Sequence, residues 1–399
     1  MKFDPSNAIQ DNLAFGEFGG VNPSITDSAT YTFLSQERME QMFDHEVKGC
    51  FLYSRHWNPS DRYLATALAK MEDSEDGLVT ASGMSAISCA ILQICSSGDE
   101  MISGRTVYGG TYALFKNFLP KLGINVNFID ITDLDVVERS ITDKTKLIYC
   151  EGLSNPLLEV ADIPKLRKIA DKYNLKLIVD NTFSPMLLSP IRLGAHVVVH
   201  SLTKFINGTN DCVAGCICSS KDFINQLTDI HSGASMLLGP VLDSYRAASI
   251  LKNLHTLHIR MQKHSENALY VAGQFEQLGF KTFYPGLKSH RQHELLKKLY
   301  NPKYGFGGMM AVDFKKIETA KQIVATMQKA KVGYLAVSLG FYKTLFSMPS
   351  HSTSSEIPEK EQKTMGLTEG LVRFSVGIDH DIERSFDRIK KSLKKLNMI

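Results

Sequence analysis

With 399 residues, 43% of them hydrophobic and 22% charged, the chain is long enough to bury a large core and to divide into two domains. Its net charge of +3 is small for that length and gives no reason to expect a nucleic-acid or membrane surface. Seven cysteines, an odd number set mostly in apolar runs such as Ile91-Leu92-Gln93-Ile94-Cys95, argue for reduced buried thiols over a disulfide framework.

The N-terminal run Met1-Lys2-Phe3-Asp4-Pro5 lacks the apolar core of a signal peptide, and no stretch of about 18 apolar residues offers a membrane span, so a cytoplasmic protein is expected. Residues 1–60 are rich in Asn, Asp, Gly and Ser with few periodic apolar positions, and read as an extended arm that needs another surface, such as a second subunit. From about residue 75 to 220, short apolar runs alternate with helical ones, the pattern of an α/β domain on a mostly parallel sheet. Strands are expected at Asp99–Gly104, Asn125–Asp130, Lys146–Cys150, Lys176–Asp180, His196–His200 and Cys212–Cys218. Helices are expected at Met84–Ile94 and Ile163–Tyr173, the latter with Asp162 as N-cap and Pro164 in its first turn. A helical stretch from Gly239 to Gly279 leads into a smaller α+β part with strands Met309–Phe314 and Val372–Val376. The chain closes on an amphipathic helix whose Lys390-Lys391 and Lys394-Lys395 form a solvated face. The division that follows is 1–60 as the arm, 61–248 as the α/β domain and 249–399 as the C-terminal α+β domain.

Ligands of open α/β sheets sit at the carboxyl ends of the strands. Leu177-Ile178-Val179 ends in Asp180-Asn181-Thr182, and Val197-Val198-Val199 ends in His200-Ser201-Leu202-Thr203-Lys204. An acid and a lysine at neighbouring strand ends, by themselves, favour a structural ion pair. The flanking hydroxyls of Ser201 and Thr203 suit a phosphate ester, and Ser82-Gly83-Met84 opens a helix whose free amides and dipole would bind one. Cys212, Cys216 and Cys218 lack a paired ligand set at zinc spacing, so no metal is expected. A Gly-x-Gly-x-x-Gly turn, a P-loop and a His-Glu-x-x-His helix are absent from the sequence, which argues against a nicotinamide oxidoreductase.

Five motifs follow one another in order: Tyr53-Ser54-Arg55-x-x-Asn58-Pro59, Ala81-Ser82-Gly83-Met84, Tyr108-Gly109-Gly110-Thr111, Asp180-Asn181-Thr182-Phe183 and His200-Ser201-Leu202-Thr203-Lys204. On these, from about Pro23 to the C-terminus, the chain resembles the Cys/Met-metabolism family of pyridoxal-phosphate (PLP) enzymes. The resemblance implies the aspartate-aminotransferase-like fold type I and a set of roles. Lys204 would be the Schiff-base lysine and proton shuttle, and Asp180 would hold the pyridine nitrogen. Gly83, Met84, Ser201 and Thr203, with Ser82 beside them, would be cofactor contacts within the subunit, while Tyr53 and Arg55 would reach the phosphate of a neighbouring one. Tyr108 would stack on the cofactor ring and act as acid toward the leaving thiol, and Asn155 would touch cofactor or substrate. Arg373, with Ser338, would bind the substrate α-carboxylate, a task for which the planar guanidinium fork is suited. A homodimer pairing into a homotetramer is implied as well.

The later segments Ser235–Pro240, Tyr284–Leu287, Tyr304–Gly308 and Ser352–Glu356 resemble the plant-type methionine γ-lyase branch of that family, which implies γ-elimination of methionine. Cystathionine lyases, cystathionine γ-synthase and O-acylhomoserine sulfhydrylases share the same cofactor motifs and stand as alternatives. Gly110 occupies a position where many microbial members of the branch carry cysteine, and implies a roomier pocket near the substrate sulfur.

Overall fold

Runs such as Leu177-Ile178-Val179 and Val197-Val198-Val199 are apolar on consecutive residues, the pattern of a strand covered on both faces. In the computed structural model, which describes residues 3–44, 47, 49–352 and 357–399, they lie at the centre of a seven-stranded sheet. Met1-Lys2 of the N-terminal run and Thr353–Glu356 of the Ser352–Glu356 segment lie outside the described residues. The strands are β1 (Asp76–Thr80), β2 (Glu100–Gly104), β3 (Asn125–Ile129), β4 (Thr145–Glu151), β5 (Lys176–Asp180), β6 (Val197–Ser201) and β7 (Gly215–Ser219). Their spatial order is β1-β7-β6-β5-β4-β2-β3; β7 runs antiparallel to β1 and β6, and every other pair is parallel.

The six expected strands are present, with β7 starting at Gly215 instead of Cys212. β1 is the one that the sequence pattern does not single out. Only Leu78 and Val79 in it are strongly apolar, and it becomes a strand by pairing with β7 from Asp76↔Ser219 to Thr80↔Gly215. The helix Ile163–Lys172 starts as expected, the Asp162 side chain accepting from the Lys165 amide, and ends one residue early with Tyr173 as its cap. The stretch from Gly239 to Gly279 contains two longer helices, Ser244–Leu254 and Leu257–Gln277, and no single continuous one. In a continuous helix the Asn253 carbonyl would accept from the Leu257 amide. It accepts instead from the Thr256 amide and from Arg260 Nη2 at 2.9 Å, and Arg260 then also reaches the Ile206 carbonyl at 2.7 Å and the Phe205 carbonyl. The break lets one half-buried guanidinium pin the turn that follows Lys204.

A second sheet has five strands, β8 (Lys281–Phe283), β9 (Met309–Asp313), β10 (Gly333–Leu335), β11 (Thr344–Ser347) and β12 (Leu371–Ser375), ordered β10-β11-β12-β9-β8. β10 and β11 are parallel and the other pairs antiparallel. Phe275 of the long helix is fully buried, its ring 5.5 Å edge-on from Phe386 and 5.7 Å from Phe374, so sheet, long helix and C-terminal helix share one core. Burying each such side chain contributes about 1.5–3 kcal/mol. In the helix Ile382–Lys395, Phe386, Ile389 and Leu393 turn inward at helical spacing while Lys391, Lys394 and Lys395 are exposed, the solvated face read from the sequence.

The N-terminal residues form short helices at Pro5–Gln10 and Gln36–Asp44 joined by mostly extended chain, and they expose Leu13, Phe15, Phe18, Val21 and Leu34. All seven cysteines are free. Among the described residues no helix is long and apolar enough to cross a membrane.

Candidate active site

Because β4, β5 and β6 are parallel, their carboxyl ends meet at one edge. Glu151 and Asp180 are register partners there, and the chain leaving β6 turns at once through Lys204. The N-terminus of the helix Gly83–Ile94 comes against the same edge. A Cβ at Gly83 would lie 2.8 Å from Ser201 Cβ, so only glycine allows that approach. Ser82 caps this helix by accepting from the Ser85 amide, which leaves the first-turn amides of Gly83 and Met84 for an anion.

These elements enclose a cleft of about 200 Å³. Of the residues expected in the site, Ser82, Gly83, Met84, Tyr108, Asn155, Asp180, Ser201, Thr203, Lys204 and Arg373 line it. Ser338 joins them through its hydroxyl, which accepts from Lys204 Nζ at 3.3 Å and donates to Asn210 Oδ1 at 2.9 Å. That contact depends on Gly340, which has φ +76° and lies so close to the Lys204-Phe205 backbone that a Cβ would be 2.4 Å from the Phe205 nitrogen. Tyr53 and Arg55 are not brought to this cleft. They are exposed, and Arg55 Nη1 donates to the Met236 carbonyl at 2.9 Å.

Gly110 also departs from expectation. It does not line the cleft, and a Cβ on it would stand 2.5 Å from Cε1 of the Tyr108 ring. The space left by the missing side chain is taken by that ring, so residue 110 acts on the cleft through Tyr108 and not as a wall of its own.

Charges of both signs face the cleft. Burial, helped by the nearby Arg373, lowers the Lys204 ammonium to about 8. Burial raises the Asp180 carboxyl, against hydrogen bonds from Thr182, the charge of His200 and the Tyr149 hydroxyl, which donates to Oδ2 at 3.2 Å. Arg373, 3% exposed at the centre of β12, is lowered by burial to about 10 and stays protonated at neutral pH. Its Nη1 donates to Asn155 Oδ1 at 3.0 Å and its Nη2 to the Val337 carbonyl at 3.0 Å, which fixes the guanidinium plane at the cleft. Sequence reading passed over Glu151, Thr182 and Arg260. Glu151 ends an apolar strand as Asp180 does, and the strand-end rule applied to β4 would have found it. Arg260 carries no such signal.

A mostly parallel sheet bearing a lysine, a carboxylate and a helix N-terminus at its carboxyl edge, beside a smaller sheet that supplies an arginine, has the architecture of PLP-dependent enzymes of fold type I. Solved structures agree. The chain superimposes with TM-score 0.90 and 30% identity on a Campylobacter jejuni protein described as an O-acetylhomoserine (thiol)-lyase that carries N'-pyridoxyl-lysine-5'-monophosphate, covering 98% of this chain and all of that one. Cystathionine γ-lyase from Lactobacillus plantarum, complexed with L-serine, gives TM-score 0.88 at 27% identity, over 99% and 100% of the two chains. Among curated relatives, methionine γ-lyase of Arabidopsis thaliana is 41% identical over 98% of this chain and 91% of its own length. Cystathionine β-lyase of Coxiella burnetii is 35% identical over 83% of this chain and 86% of its own. The family model for Cys/Met metabolism PLP-dependent enzymes matches residues 6–394, and the chain belongs to that family.

The cleft fits the family's cofactor. A carboxylate at a strand end meets the need of a pyridine nitrogen, a lysine with a lowered pKa that of an aldehyde, and the Gly83–Ser201 approach leaves a helix N-terminus open to a phosphate.

Proposed function

We propose that this enzyme cleaves L-methionine by γ-elimination to methanethiol, 2-oxobutanoate and ammonia, with water consumed. The observation that carries the reading is the convergence of Lys204, Tyr108 and Arg373 on one cleft in a chain 41% identical to a plant methionine γ-lyase. When bound, PLP supplies the electron sink that makes the substrate Cα–H acidic. Everything else is asked of the protein. Lys204 would carry the cofactor on its amine, and its neutral amine would move protons at the substrate Cα and Cβ. Asp180 holds the pyridine nitrogen, and Ser82, Gly83, Met84, Ser201 and Thr203 surround the phosphate. Arg373, held by Asn155 and by the chain around Ser338, takes the substrate α-carboxylate in its fork. Tyr108, which lines the same cleft, would stand against the cofactor and donate the proton to the departing sulfur.

On the same reading the site is shared between subunits. Residues 1–60 lie as an arm on a neighbour, where Tyr53 and Arg55 reach the phosphate of its site; 61–248 bind the cofactor and 249–399 form the C-terminal domain. Dimers pair into a tetramer. The exposed apolar side chains of the arm support this, as does the fact that Tyr53 and Arg55 do not line their own chain's cleft. Seven free cysteines support a cytoplasmic setting.

The test is to incubate the holoenzyme with methionine, cystathionine, homocysteine, cysteine, and O-acetylhomoserine plus sulfide, and to identify every product. Methionine is expected to give 2-oxobutanoate and methanethiol. No 2-oxobutanoate from methionine, together with turnover of cystathionine or O-acetylhomoserine, overturns the assignment in favour of a cystathionine lyase, or of a synthase or sulfhydrylase.

The lowered pKa of Lys204 gives a pH prediction of its own. The amine attacks the cofactor aldehyde only when neutral, so the rate at which apoprotein captures PLP is expected to climb with pH through a midpoint of about 8. Stopped-flow absorbance measures it. A midpoint at the ordinary lysine value of 10.5 would contradict the desolvated position of this side chain.

A further inference from the structure

Glu151 is 8% exposed at the end of β4, register partner to Asp180. Two carboxylates at adjacent strand ends are electrostatically costly, and a buried one is tolerated only when hydrogen-bonded. Both oxygens of Glu151 are so engaged, and both by main chain. Oε1 accepts from the Tyr108 amide at 2.7 Å and Oε2 from the Asn155 amide at 2.8 Å. The two segments are separate in sequence and both line the cleft. Tyr108 stands at the start of the helix Gly109–Ala113, which has no side-chain cap of its own. Asn155 is the residue whose Oδ1 holds Arg373.

We propose that Glu151 is a positioning residue, a two-point clamp that sets the distance between the phenol working at the sulfur end of the substrate and the Asn155–Arg373 pair working at its carboxylate end. This rests on the roles given above to Tyr108 and Arg373. The spacing matters because a substrate held at its carboxylate presents its sulfur at a fixed reach, and misplacing the acid by about 1 Å can cost on the order of 100-fold. Among the described residues, only Glu151 bonds through its side chain to the amides of both segments. Burial and the Asp180 charge push its carboxyl up, while the two amides and Arg373 oppose that, so the clamp is also what keeps a second carboxyl tolerable beside Asp180.

Glu151→Gln keeps the shape and leaves one oxygen for two amides; Glu151→Asp keeps the carboxyl and loses the reach. Hydrogen exchange of the apoprotein reads the clamp directly, without substrate. In either variant the Tyr108 or the Asn155 amide is expected to exchange at least about 10-fold faster while the amides of β4 and β5 keep their protection. In the holoenzyme kcat is expected to fall about 10- to 100-fold, and adding Tyr108→Phe to Glu151→Gln should cost less than it does in the wild type, because the acid is already misplaced. Unchanged protection of both amides overturns the proposal. So does faster exchange with kcat within about twofold of wild type, or full multiplication of the Glu151→Gln and Tyr108→Phe losses. An enzyme inactive on every sulfur substrate defeats the assigned reaction, whereas the exchange result still decides the clamp.

Discussion

Lys204→Ala is expected to abolish sustained turnover, with a loss of at least about 10²–10⁴-fold, and to remove the yellow absorption of the lysine-bound cofactor. The residue is given two tasks that no neighbour can assume. On the proposed function its amine would be the nucleophile for the aldehyde and, when free, the base at the substrate Cα. Both need a neutral amine, and burial together with Arg373 brings the side chain to about 8, within reach of neutrality at physiological pH. Ser338, at 3.3 Å, holds the amine but offers only a hydroxyl. Lys204→Arg is expected to fail equally, since a guanidinium stays protonated. Borohydride reduction followed by peptide mass mapping checks the assignment: a reduced cofactor link surviving in the Ala variant would mean that another lysine carries it.

Arg55→Ala and Lys204→Ala are each expected to be nearly inactive alone and to recover activity when co-refolded, on the order of a quarter of the wild-type level if subunits mix at random into two-fold dimers. The reason is geometric. Within one chain Arg55 points to the Met236 carbonyl and lines none of the cleft, so a role at the phosphate must be played in a neighbour's site. A mixed dimer then holds one site with both residues intact. The removal of a bidentate phosphate partner should show mainly as weaker cofactor retention in Arg55→Ala, measured by gel filtration and absorbance. Verified mixed dimers without activity would place Arg55 outside the site.

Local pattern was enough for six of the seven strands of the large sheet and for the polar residues that stand at its carboxyl edge. Consecutive apolar residues ending in Asp180 and in Lys204 identified strands buried on both faces, and a parallel sheet must present their polar ends at one edge. The helix opened by Ser82-Gly83-Met84 was legible for a similar reason, because cap and glycine act within a few residues. β1 was not legible: two apolar residues make a strand only when β7 is there to pair with it. The break at His255-Thr256 was equally hidden, since its cause is a set of carbonyls around Phe205 that Arg260 meets only after the chain has folded back. Gly110 shows the same limit at the site itself. The sequence pointed to an absent side chain at position 110, and the fold decided that the ring of Tyr108 occupies the space. By itself the sequence determined the strand-end lysine, the strand-end acid, the glycine-led helix start and, through five ordered motifs, the family. Only the tertiary structure decided that Glu151 links Tyr108 to Asn155, that Ser338 reaches Lys204, and that Tyr53 and Arg55 do not line their own cleft, because each depends on contacts between segments far apart in the chain.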